Sequence, residues 1–165
     1  MSDSSSEMKL ERSVASQAEL EECADLMLPA ARRRILLFDR SLSPAWNRPA
    51  RIDTLRKFCL ASPRNELHIA LHDASTLRRD CPRLAVLMET FAHVISVRET
   101  RPEARHAQDP LMIVDDRHFL HRFHVDSPRA AFALNAPVEA KPLTERFLEI
   151  WAASDPASPA TTLGL

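Results

Sequence analysis

The stretch QDPLMIVDD, residues 108–116, decides how this chain is read. Its four consecutive apolar residues, Leu111 to Val114, have the length and composition of a strand buried on both faces. The run opens just after Pro110, which cannot donate to a sheet ladder, and closes on two aspartates, Asp115 and Asp116. Working outward, ILLF (35–38) is a second buried run, ending in Asp39 and Arg40. LHIAL (67–71) alternates as a strand should, and HVISV (93–97) is the third strand in chain order. HFLHRFHV (118–125) follows the aspartates after a tight turn, and AAFAL (130–134) is a sixth strand.

Helical periodicity fills the gaps. Ser16 and Glu19 form a capping box ahead of a face made by Leu20, Cys23, Met27 and Ala30, and Pro29 ends that helix. A helix over 50–61 turns Ile52, Leu55, Phe58 and Cys59 inward. Pro82 opens another, with Leu84, Leu87, Met88 and Phe91 inward. Leu143, Phe147, Ile150 and Trp151 mark the last. The order α-β-α-β-α-β-β-β-β-α predicts an α/β fold, a mixed β-sheet of about six strands flanked by helices. Residues 1–14 are serine-rich and read as disordered, 15–154 as one domain, and 155–165 as a flexible tail.

Composition narrows the function. With 45% hydrophobic and 27% charged residues and a net charge of −1, the chain has no global field to attract nucleic acid or an anionic membrane. Its one glycine, Gly164, rules against a P-loop or dinucleotide fingerprint, since both need glycines where backbone meets phosphate. Cys23, Cys59 and Cys81 are too few and too scattered for a zinc or disulfide framework. No apolar leader or membrane-length run is present, so a cytoplasmic location without membrane contact is expected. No cofactor and no metal are expected.

The element order and the place of QDPLMIVDD resemble one half of the phospholipase D superfamily. That family carries His-x-Lys, four residues, then Asp, along a buried strand. The resemblance implies a histidine that attacks phosphorus, a lysine on the phosphate oxygens, and two halves meeting across an axis. With Asp115 as the family aspartate, Gln108 takes the histidine position and Pro110 the lysine position. An amide is no nucleophile and a proline carries no charge. The downstream Gly-Ser-x-Asn is replaced around Arg122, Phe123, His124 and Val125. LLFDRSLSP (36–44) and RFLEIW (146–151) are similar to the opening and ending of a bacterial family of degenerate phospholipase D-like half-domains.

Other groups have two readings each. His106 precedes Gln108 by two residues, so on an extended chain it would point the same way and could stand over the site; alternatively it lies in a solvated loop. His118, Arg122 and His124 share one strand face with His121 opposite, a poor geometry for a three-histidine metal site. His72 and Asp73 either orient a phosphate or end a strand. The arginine clusters at 32–34, 78–83 and 98–105 read as solvated faces, and the absence of tyrosine leaves few stacking platforms.

The favoured expectation is a non-catalytic phospholipase D-like binding or regulatory module, more a binder than an enzyme. It would hold phosphate or another anion near Gln108, Asp115 and Arg122. The alternative is a divergent phosphodiesterase or nuclease acting through His106 or His124 as a dimer. A third reading is an accessory domain that meets a protein partner through exposed Leu42 and Trp46. Partners implied are a second copy or another protein, with nucleic acid or another phosphodiester as the lesser alternative.

Overall fold

The computed structural model describes residues 8–157. The stretches 1–7 and 158–165, parts of the expected disordered start and flexible tail, lie outside the described residues. The strands are β1 (Leu10–Val14), β2 (Arg34–Asp39), β3 (Glu66–Leu71), β4 (Ile95–Thr100), β5 (Leu111–Val114), β6 (His118–Arg122), β7 (Ala130–Leu134) and β8 (Ser154–Pro156). They form one mixed sheet in the order β1-β7-β6-β5-β2-β3-β4-β8. Only the two β2–β3 and β3–β4 pairings are parallel.

The helices are α1 (Gln17–Met27), α2 (Pro49–Ala61), α3 (Leu77–Asp80), α4 (Pro82–Thr90) and α5 (Pro137–Ala152). The first four cover one face of the sheet, where Ile35, Leu37, Leu67, Ile69, Met112 and Val114 join the core. α5 covers the other, where Phe147 and Ile150 meet Leu36, Phe38, Leu111 and Ile113. The ILLF and LMIV runs are continuous because β2 and β5 are buried on both sides.

Local chemistry sets the ends. The Glu19 N–H donates to Ser16 Oγ at 3.2 Å, and the Ser16 hydroxyl lies 3.1 Å from the Glu19 carboxylate. α1 then tightens into a 3₁₀ turn holding Pro29. Proline begins α2, α4 and α5, where its missing N–H costs nothing. Three left-handed positions fall to Asp115, Asp116 and Asn135, with φ of 53°, 57° and 55°. These short polar residues tolerate that region better than most. Asp115, Asp116 and Arg117 make the three-residue turn of the β5–β6 hairpin: Val114 pairs with His118, and the Arg117 N–H donates to the Val114 carbonyl at 3.1 Å.

The sheet has eight strands rather than about six. Residues 10–14, expected to be disordered, pair with β7 in a register that puts Val14 opposite Ala130 and buries it. Residues 154–156, at the start of the expected tail, pair with β4. Both are short edge strands whose own sequence carries little apolar alternation, so pairing comes from the partner's open edge. β4 also begins at Ile95 rather than at His93, because residues 91–94 complete the turn after α4.

Candidate functional site

The carboxyl ends of the parallel strands β2, β3 and β4 lie at one end of the sheet, together with the start of β5 and the end of β6. Open α/β sheets hold ligands at that end. The sheet divides it into two basins.

The basin on the α1 side has a volume of about 80 Å³ and is lined by Glu21, Asp39, Ser43, Trp46, Pro110 and Arg122, among others. Pro110 is part of its wall. Arg122 is engaged in shaping the loop after β6: its Nη2 donates to the carbonyls of Val125 (2.8 Å) and Ser127 (2.9 Å), and its Nε to Ser127 (3.1 Å). Burial pushes the Asp39 carboxyl above its ordinary range, against the opposing pull of the Arg40 N–H and of Arg122, Arg40 and His72. Behind Trp46 the buried Arg51 guanidinium lies 4.8 Å from the indole centroid and donates to Asp25 and Glu21.

On the α5 side, an open basin of about 270 Å³ is lined by His106, Gln108, Asp109, His121, Phe123 and Arg146. Asp109 organises it. One carboxylate oxygen accepts from His121 Nε2 and from Arg146 Nε, each at 2.8 Å, and the other accepts from Arg146 Nη2. Burial alone would raise the Asp109 carboxyl, but the bonds from Arg146 and His121 outweigh it and hold it below the usual range. Because a carboxylate only accepts, it fixes the proton of neutral His121 on Nε2 and leaves Nδ1 as the lone-pair nitrogen. Gln108 donates its amide to the Arg105 carbonyl at 2.9 Å, and its own carbonyl accepts the Val125 N–H at 2.7 Å.

The expected site residues are therefore split. Gln108 and Arg122 lie at the carboxyl end, while Asp115 is at the far end of β5, roughly 16 Å along the strand from Pro110. There Asp115 accepts the N–H groups of Arg32, Arg33 and Arg34 at 2.8–2.9 Å, closing the start of β2. Gln108, Asp115 and Arg122 do not converge on one anion. His106 and Gln108 do share a basin, but His124 stands apart, exposed, with its Nδ1 accepting the Asp126 N–H.

Several other candidates have structural partners. His118 is buried and accepts the Asn135 N–H at 3.0 Å. His72 bridges Thr100 Oγ1 (2.7 Å) and the Ala107 carbonyl (2.6 Å), so its neutral ring carries the proton on Nε2. No cluster of three or more metal-ligating side chains occurs among the described residues. Leu42 and Trp46 are only 3% and 6% exposed, which removes the expected contact surface. Arg78 pairs with Glu89, Arg79 with Asp80, and Arg101 with both Glu103 and Asp155, while Arg98 stacks on Trp151. Sequence reading passed over Asp109 and Arg146; the one available signal was the acid two residues before LMIV, inside the quoted run itself.

This layered sheet has a phospholipase D-like fold. Nuc, a phospholipase D family member from Salmonella typhimurium, has a similar structure (TM-score 0.60, 14% identity, 91% of this chain and 99% of that one). NucT from Helicobacter pylori is similar over 91% of this chain and 100% of its own (TM-score 0.61, 8% identity). The archaeal chromatin protein TrmBL2, whose structure shows a mode of DNA binding, aligns over 89% of this chain and 54% of its own (TM-score 0.64, 14% identity). No curated protein matches the sequence. The chain belongs to the family described as a domain of unknown function, DUF7931, whose model matches residues 16–163. Among the described residues no helix is long and apolar enough to cross a membrane.

Proposed function

We propose that this protein is a phospholipase D-like module that binds a phosphate-bearing or other anionic ligand at the carboxyl end of its sheet, without the covalent chemistry of the superfamily. One observation carries the reading. The two signature positions hold Gln108, whose amide is bonded to Arg105, and Pro110, which forms part of a basin wall. Neither supplies a nucleophile or a charge for phosphoryl transfer. A bacterial cytoplasmic setting and self-association through the face that pairs the two halves in active relatives accompany this proposal.

Inorganic phosphate titrated into isotope-labelled protein is expected to shift amides at that end, with no turnover of bis(p-nitrophenyl) phosphate. Turnover that disappears in His106→Ala would overturn the non-catalytic reading. A second reading, phosphodiester cleavage through His106, has one supporting observation: His106 shares its basin with the Asp109-held imidazole of His121. A covalent phospho-enzyme trapped on His106 would favour it. His124 has no comparable support.

A further inference from the structure

Four observations separate the two basins. First, the α1-side basin carries the carboxylates of Glu21 and Asp39, and its cation, Arg122, already serves three contacts to backbone carbonyls. An anion entering there meets two acids and a guanidinium committed to the loop. Second, the α5-side basin has one acid, Asp109, matched by Arg146, and adds the imidazoles of His106 and His121. Third, Asp109 holds His121 Nε2 while no described residue engages His121 Nδ1, and a ring protonated on both nitrogens donates from Nδ1 to an anion. Arg146 Nη1 likewise has no bond among the described residues, its Nε and Nη2 being taken by Asp109. Fourth, Phe123 at the rim is 58% exposed and packs edge-on to His121 with 6.1 Å between centroids. An exposed ring beside an arginine and two histidines suits a ligand with a planar group attached to a phosphate.

We propose that the α5-side basin is a mononucleotide site, in which His121, His106 and Arg146 hold the phosphate and Phe123 stacks the base. This rests on the anion-binding reading and names where the anion goes and what it is attached to. The basin's size, about 270 Å³, lies near the low end of small-ligand pockets, which run from roughly 300 to 1,000 Å³. Asp109 touches no ligand here. It is the positioning residue that orients both His121 and Arg146.

The test is a titration of ¹⁵N-labelled protein with AMP and, separately, inorganic phosphate, in native protein and in the variants His121→Gln, Phe123→Ser and Glu21→Gln, each checked for native folding. AMP should shift the signals of residues 106–109, 121–124 and 146. His121→Gln should weaken AMP and phosphate at least tenfold. Phe123→Ser should weaken AMP several-fold and leave phosphate unchanged, and Glu21→Gln should change neither. Shifts confined to Glu21, Asp39 and Trp46 would overturn this site while leaving anion binding intact. Phosphate binding as tightly as AMP would overturn the base platform. Millimolar AMP and phosphate both failing to bind would overturn the site together with the reading beneath it.

Discussion

At the residue scale, Asp115 shows how one side chain can hold two elements. Its backbone takes the left-handed conformation of the β5–β6 turn, and its carboxylate accepts three successive N–H groups at the start of β2. Asp115→Ala loses both, and unfolding free energy should fall by about 2–3 kcal/mol in urea titrations. Asp115→Asn keeps the turn and one acceptor and should lose less. His68 makes a separate prediction. Its ring stacks on Trp151 at 4.6 Å, and burial, with Arg34 and Arg98 nearby, lowers its pKa despite Glu66. A lowered histidine binds fewer protons folded than unfolded, so stability should drop as pH falls through the ordinary value of 6.5. His68→Phe should flatten that limb of the pH–stability curve. Asp109 acts in the opposite pH range. Held below its ordinary 3.8, it contributes stability that is present above that pH and lost on further acidification, and Asp109→Asn should remove this part of the acid transition.

At the element scale, the two edge strands and α5 decide the outcome. β1 covers β7, and its register buries Val14 against the sheet. Deleting residues 1–14 should lower Tm by several degrees and increase aggregation, because β7 becomes an open edge. α5 is the one helix on its face of the sheet among the described residues, and Phe147 is fully buried beneath it. Phe147→Ala should cost about 3–5 kcal/mol in the same titrations. Most of these elements were legible in the sequence. The capping pair Ser16–Glu19, the ILLF and LMIV runs and Pro82 at the start of α4 are local signals with local causes. β1 and β8 were not legible, since LERSV and SDP owe their strand form to the edges they meet.

At the scale of the whole molecule, the sheet separates two cores and two basins. Cys59 and Cys81 lie in the larger core, where burial pushes both thiols up to about 11. A thiol-specific reagent at neutral pH should leave both unmodified until the protein unfolds, so labelling should follow global unfolding in denaturant. The likeness to Nuc and NucT at 14% and 8% identity is a likeness of fold. It leaves the ligand to the side chains.

By itself the sequence determined the α/β class, the buried runs of β2 and β5, and the starts of α1 and α4. These follow from periodicity, proline placement and residue chemistry, which act over a few neighbouring residues. Tertiary structure alone decided that Asp115 caps the start of β2, that Arg122 shapes a loop, and that Asp109, His121 and Arg146 meet. The last three come from a loop, a strand and a helix up to 37 residues apart, and only packing α5 across the sheet brings them within hydrogen-bonding distance.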